Sequence, residues 1–477
     1  MDLKIGLFGI GLEAYWPQFE GLKTRLEGYL SEVETKLNAA LPHSGASSCV
    51  NLGLIDSPEK ALKAGHTFRQ ADVDIIFLYV TTYALSSTVL PVVRRAKVPV
   101  IVLNLQPEAA INYAAFNVLN NRTQMTGEWL AYCSTCPVPE IANVFRRSNI
   151  DFYQVTGTLH NDPEAWNEIK DWIAAAHVAS VMCHNRMGVM GNYYGGMLDI
   201  YSNLTLQCAT FGGHIEIIEV DELSVLRDTV SANEIEQKRT EFDAVFEIDP
   251  DCSEQELERA AQTAVALDKL VEKHKLGSLA YYHKGSGNVN ENTMSSVILG
   301  TSLLTAKNIP VAGEYEIKNV QAMKIMDTFG VGGSFTEYYA IDYEADVVLM
   351  GHDGPGHIAI AQGKTKVKPL EVYHGKVGSG LSVEMSVQHG AVTLLSVIET
   401  VDGKVQLLVA HGEVVAGPIL EIGNTNSRYK FPIGARRFVN DWNSHGPAHH
   451  CAVGVGHIAS KIKKLGLLLG VEVIVVC

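Results

Sequence analysis

Four short segments of the first 105 residues are apolar on both faces: KIGLFGIG (4–11), VNLGLI (50–55), VDIIFLYV (73–80) and VPVIVLNL (98–105). A strand with one wet face alternates polar and apolar residues; these do not. They must be buried on both sides, which in a chain with intervening helices means a parallel sheet covered on both faces. The helical partner is legible at 18–40, where Phe19, Leu22, Leu26, Leu30, Val33 and Leu37 recur at helical spacing. A further helix is expected at 163–177, with Asp162 as N-cap, Pro163 at the first helical position and Trp166, Ile169, Ile173 and Ala176 as its stripe. Residues 1–177 therefore form a first domain.

A second α/β unit is expected over 178–327. VASVMCH (178–184), HIEIIEV (214–220) and GSLAYYH (277–283) read as strands. The helix at 254–275 is marked by Ser253 and Glu256 as a capping box and by Leu257, Ala260, Ala261, Ala264, Leu267 and Val271 as its stripe. IPVAGE (309–314) reads as a strand running into a loop. After about 328 the pattern becomes many short strands, ADVVLMG, HIAIAQG, LSVEMSV, AVTLLSVIET and KVQLLVAHGEVV, with the hairpin signal VDGK at 401–404. A helix at about 450–465 and a last strand, VEVIVV, complete a third domain, 328–477. The fold class expected is α/β: two doubly wound parallel-sheet domains followed by a C-terminal antiparallel β domain, a sandwich or partly open barrel. A length of 477 residues agrees, because single cores stop growing at about 250–300.

Composition narrows the partners. The formal net charge of −15 argues against nucleic acid or an anionic membrane surface, both of which attract basic proteins, and leaves a small neutral substrate open. The N-terminus reads as a strand and turn rather than a secretory signal, and the apolar run GLLLGVEVIVV is too short to span a bilayer. Eight scattered cysteines suit a reducing cytoplasm better than a disulfide scaffold.

Histidine is concentrated late, nine of the 17 lying between 352 and 457. Several stand beside carboxylates at strand ends or in Gly-rich turns. Glu314 follows VAG, Glu337 lies in SFTEYY, His352 ends VVLMGH, and SHGPAHH presents His445, His449 and His450. Two carboxylates and two imidazoles offset a divalent charge and leave coordination positions open. Without thiolate, such a set favours Mn, Co, Fe or Mg over structural zinc. An open site of this kind chelates adjacent sugar oxygens and polarises a carbonyl, while neighbouring carboxylates move a proton.

The order GEYEIKNVQAMKIMD, SFTEYYAIDYEADVVLMGH and GPAHH resembles the L-arabinose isomerases of the L-fucose/L-arabinose isomerase superfamily. The resemblance is at motif level over the second half. It implies a metal-dependent aldose–ketose isomerase with Mn2+, or another divalent ion such as Co2+ or Mg2+. It further implies Glu314 and Glu337 as metal ligands and acid/base pair, His352 and His450 as metal ligands, and Tyr339 beside the substrate. A homo-oligomer, trimer or hexamer, with active sites between subunits is implied as well. The L-fucose/D-arabinose type of isomerase is the alternative within the superfamily. The sequence departs from the family where the sugar pocket is expected: GLEAYWP puts Glu13 and Trp16 in the first turn, and RTQMTGEW offers Gln124 in place of a histidine. With His449, these residues are the candidate substrate contacts, and the departures leave the sugar open.

Three rival readings use other features. GIGLEA (9–14) matches the GxGxxA fingerprint of a dinucleotide-binding oxidoreductase, although Pro17 delays the helix that such a site needs. Cys133-Ser-Thr-Cys136 has redox-motif spacing. Two doubly wound domains could also clamp a sugar without catalysis; the C-terminal β domain counts against that.

Overall fold

A computed structural model describes residues 2–42, 47–285, 288–370 and 379–477. The chain divides into two compact units, Met1–Ser180 and Val181–Cys477. The second takes in both the sheet expected at 178–327 and the β structure expected after 328.

The first unit is built on β1 (Lys4–Ile10), β2 (Ser48–Ile55), β3 (Ile75–Tyr79), β4 (Val100–Gln106) and β5 (Phe152–Thr158). All pairs are parallel, in the order β2-β1-β3-β4-β5. Every residue of β3 is buried, as a strand apolar on both faces requires. The expected helix at 18–40 runs from Leu22 to Ala40 and buries Leu22, Leu26, Leu30, Val33 and Leu37. The strand order reverses between β1 and β3, so a topological switch point lies beyond their carboxyl ends.

The second unit begins with β6 (Arg186–Gly191), β7 (His214–Ile218), β8 (Glu247–Ile248), β9 (Ser278–Tyr282) and β10 (Val311–Ala312). Four of these make a second parallel sheet, β10-β9-β6-β7. The stretch 178–184 is not its first strand. It forms the last turns of the helix Pro163–His184, because Val178 and Met182 continue the buried helical stripe of Ala175 and Ala176 and no breaker intervenes. Asp162 accepts from the Ala165 N–H at 3.0 Å, so that helix has its expected cap. The helix Glu254–His274 is capped by Ser253 and buries the expected stripe apart from the half-buried Val271.

The β structure follows as β11 (Ser334–Asp342), β12 (Val347–His352), β13 (Lys366–Leu370), β14 (Gly380–Glu384), β15 (Gly390–Glu399), β16 (Val405–Val414), β17 (Thr425–Lys430), β18 (His450–Val455) and β19 (Glu472–Val475). Strands β15-β18-β11-β12-β17-β16 run antiparallel, and β16 pairs back to β15, so six strands close into a barrel. β19 adds parallel to β16 on the outside edge. β8, β13 and β14 form a separate three-stranded sheet.

Two local expectations fail here. HIAIAQG contains a 3-10 turn, Ile358–Ile360, rather than a strand. Residues 450–455 are strand β18, and the last helix starts only at Ala459. Val453 and Val455 favour the pleat, and the positive φ of Gly456 turns the chain before the helix. Among the described residues no helix is long and apolar enough to cross a membrane.

One helix positions the site. Ile317–Thr328 packs on β15 and β18, and all its residues from Ile317 to Asp327 are buried, Lys318, Asn319 and Lys324 included. A helix polar in sequence yet buried on every side has no amphipathic stripe to betray it.

Candidate metal centre

Four strands converge on one cluster within the second unit. Glu314 stands two residues beyond β10, Glu337 lies in β11, His352 ends β12 and His450 begins β18. Register explains part of this: in the antiparallel ladder Glu337 pairs with His450 on one side and with Gly351, the neighbour of His352, on the other. Gly351 is obligatory, because a Cβ there would lie 1.7 Å from the Thr425 carbonyl oxygen. That close approach lets Thr425 Oγ1 accept from the His352 N–H at 2.9 Å and donate to its carbonyl at 3.1 Å.

Glu314 and Tyr315 both have positive φ, 58° and 62°. Two consecutive side-chain-bearing residues in the left-handed region cost roughly 1–3 kcal/mol each, and such strain gathers at functional sites. The conformation is held by hydrogen bonds from Tyr315 N to Tyr281 O and from Glu316 N to Gly313 O. The Phe335 ring, fully buried, supports two imidazoles at once: its centroid is 4.1 Å from that of His352 and 4.4 Å from that of His450.

Distances define what the cluster can do. His450 Nε2 lies 3.5 Å from Glu314 Oε2, and His352 Nε2 lies 3.9 Å from Glu314 Oε1. His449 Nε2 lies 3.7 Å from Glu314 Oε2 and 3.8 Å from Glu337 Oε2. Three of these separations are too long for a hydrogen bond, and across the fourth neither Glu314 Oε2 nor His450 Nε2 makes one, so the ligand atoms suit a shared cation. Two overlapping sets, Glu314/His449/His450 and Glu337/His352/His450, each bring their ligand atoms within 4.8 Å of one another. Glu314 Oε2 and His450 Nε2 are buried and make no hydrogen bond. Buried polar atoms are normally satisfied, so a facing carboxylate oxygen and ring nitrogen left this way fit a cation. The buried His/Glu group can hold a metal ion.

The charges are strongly coupled. Burial would raise the Glu314 pKa, but the imidazoles of His449, His352 and His450 outweigh it and hold the carboxyl at about 2. Burial pushes Glu337 up to about 7, aided by the charges of Glu314 and Asp353 and opposed by His449. Burial pushes His450 down to about 3, so the ring is neutral and its lone pair available at neutral pH. Burial would lower His449 too, but its contacts with Glu314 and Asp199 lift it to about 9.

The other candidate contacts fall in different places. Tyr339 is the extra residue of a β-bulge between Tyr338 and Ala340, a device that re-aims a side chain, and its hydroxyl donates to the Thr425 carbonyl at 3.2 Å. His449 belongs to the cluster; His445 caps the end of the helix Ala435–Ser444. Glu13, Trp16 and Gln124 lie in the first unit. Glu13 and Trp16 follow β1 at the switch point, where the Trp16 N–H donates to Asp56 at 2.8 Å. Gln124 is exposed on the wall of a cavity of about 700 Å³ shared with Gln18, Arg25 and Glu128. His374 of the late histidines lies outside the described residues.

Sequence reasoning missed Asp199 and Glu316. Asp199, in the 3-10 turn Leu198–Ile200 after β6, accepts from His449 N at 3.0 Å and meets His449 Nδ1 at 2.6 Å. Glu316, wholly buried, meets His450 Nδ1 at 3.5 Å. The only trace of Glu316 in the sequence is the alternation of charge in EYEIK.

The rival motifs find packing uses. A Cβ on Gly11 would lie 2.7 Å from the Trp16 ring, and the GxG turn is followed by the short 3-10 turn Glu13–Tyr15, the next α-helix starting only at Leu22. Cys133 is buried and burial pushes its thiol up to about 12, the opposite of an activated thiolate.

No family model matches the chain, and no curated protein matches it. Among solved structures, an ABC-transporter solute-binding protein from Burkholderia multivorans is 11% identical, with 69% of this chain and 93% of that one covered and a TM-score of 0.17. D-Lactate dehydrogenase from Escherichia coli gives 9%, 69%, 93% and 0.15, and that of Salmonella 11%, 69%, 95% and 0.14. Scores this low establish no common fold.

Proposed function

We propose that the protein is a metal-dependent aldose–ketose isomerase acting on a free sugar, with Mn2+ as the ion. The observation that carries this reading is the pair of buried, unsatisfied ligand atoms, Glu314 Oε2 and His450 Nε2, within a cluster of two carboxylates and two further imidazoles. Glu314, Glu337, His352 and His450 hold the ion. Bound there, a divalent ion supplies Lewis-acid polarisation of a carbonyl and orients adjacent hydroxyls. Glu337 and Glu314 hold and move the proton exchanged between C1 and C2 of the sugar, the two-carboxylate arrangement that such a transfer needs. Tyr339 and His449 line the substrate side. The resemblance alone offers Glu13, Trp16 and Gln124 as sugar contacts, and their departure from the arabinose isomerase pattern leaves open a pentose or a related deoxy or hexose sugar.

The eight free thiols suit a reducing cytoplasm, and the family resemblance supports a homo-oligomer. The test is a panel of pentoses, hexoses and deoxy sugars incubated with the manganese-loaded protein and scored for ketose. Ketose formation from one or more members, lost on chelation and restored by Mn2+, is expected. No ketose from any sugar at full metal occupancy sinks the isomerase reading.

A further inference from the structure

EYEIK places three charged residues at alternate positions, 314, 316 and 318, and each reaches a different part of the cluster. Glu314 faces the ligand atoms. Glu316 is the N-cap residue of the buried helix Ile317–Thr328, with none of its surface exposed. Its Oε2 lies 3.5 Å from Nδ1 of His450, the ring nitrogen opposite the one that faces Glu314. Its Oε1 makes no hydrogen bond and lies 3.7 Å from the ammonium of Lys318. Lys318, itself buried, donates to the backbone carbonyl of Asp199. Asp199 in turn holds His449 through both its backbone and ring nitrogens. The adjacent histidines 449 and 450 are thus held from behind by two carboxylates, with one lysine facing the Glu316 carboxylate and bonded to the Asp199 backbone.

A buried carboxylate is costly, and the lysine and the helix N-terminus offset only part of that cost here. An imidazole that ligates through one nitrogen needs its proton on the other, and an acceptor placed there fixes both tautomer and ring angle. We propose that Glu316 and Lys318 form a buried anchor that fixes His450 with its proton on Nδ1, toward Glu316, and its lone pair on Nε2, toward Glu314. The anchor sets the affinity of the centre for a divalent ion without touching it, and in this respect rests on the metal reading above. Glu316 is a positioning residue, not a ligand.

Two readouts on the full chain test the anchor. Calorimetric titration with Mn2+ gives the affinity. The imidazole nitrogen shifts of 15N-histidine-labelled, metal-free protein, assigned by comparison with His450→Asn, give the tautomer. Glu316→Gln keeps the shape and loses the charge, and weakens Mn2+ about 10-fold; Glu316→Ala weakens it about 100-fold, the range for groups behind a metal-binding histidine. Glu316→Ala also turns the single His450 tautomer of the parent into a mixture. Lys318→Met weakens Mn2+ about 10-fold through the unsupported carboxylate. If Glu316→Ala fails to fold, the affinities of Glu316→Gln and Lys318→Met decide. Affinities within twofold of the parent overturn the anchor, as does a parent His450 with its proton on Nε2. A parent that binds no Mn2+ overturns the metal reading instead, and the tautomer still decides whether Glu316 fixes the ring.

Discussion

The parallel strands β2 and β10 each run into a carboxylate, and the two are treated differently. Asp56 follows β2 in the first unit and is 2% exposed. It accepts from the Trp16 indole at 2.8 Å and the Lys60 ammonium at 2.5 Å. Burial would raise its pKa, but Lys60 and Trp16 prevail and lower it. Glu314 follows β10 in the second unit. One of its oxygens has no donor, and its nearest cationic or basic partners stand off at 3.5–3.9 Å. The local backbone differs as well, since Glu314 has positive φ. A carboxylate fully answered by donors is a structural tie. A carboxylate held in a strained turn, ringed by imidazoles too far away to satisfy it, can take a cation.

The largest expected effect separates the two directly. Glu314→Gln and Glu337→Gln lower isomerase turnover by about 10²–10⁴-fold or more, the contribution of a positioned proton-transfer group, while the circular dichroism stays that of the parent. Asp56→Asn leaves turnover per folded molecule within about twofold, a margin well below the effect of a lost catalytic group. Turnover lost equally in all three erases the distinction.

Thermal melts sharpen it. At a free Mn2+ concentration 100 times Kd, binding to the folded state alone stabilises the parent by about 2.7 kcal/mol. His352→Ala and His450→Ala lose most of that increment. Asp56→Ala lowers Tm by the same amount with and without Mn2+, a loss of about 1–3 kcal/mol for a buried hydrogen-bonded group. A manganese-dependent loss at Asp56 contradicts the assignment of roles.

A pH series gives a smaller effect. Burial raises Glu337 to about 7, so below that value a proton competes with the ion for the carboxylate. Mn2+ affinity therefore falls as pH drops from 8 to 6, by up to about tenfold per unit below 7. Glu337→Gln flattens that dependence. An affinity in the parent that is level across this range contradicts it.

The sequence made the first sheet legible because burial on both faces leaves no polar residue in strands such as IIFLY. It misread 178–184, because VASVMCH taken alone fits a strand or the end of a helix equally well, and only the stripe continued from Ala175 and Ala176 decides. It misread 450–455, where the barrel rather than the local pattern decides the pleat. In the site, Glu314, Glu337, His352 and His450 were readable as carboxylates and imidazoles at strand ends, and the chain brings these four together with His449. Glu316 and Asp199 were not readable. Their roles depend on a helix with no amphipathic stripe and on a turn 250 residues before the histidine it holds. The β-bulge that re-aims Tyr339 is likewise a product of pairing, invisible until β11 meets β12.

We propose that the carboxylate beyond β10 holds a cation. Titrating the metal-free chain with Mn2+, followed by the loss of free-ion electron paramagnetic resonance, tests it most directly. One ion taken up per chain in the parent and in Asp56→Asn, and none in Glu314→Gln, is the result predicted. No uptake by the parent, or equal uptake by Glu314→Gln, contradicts it.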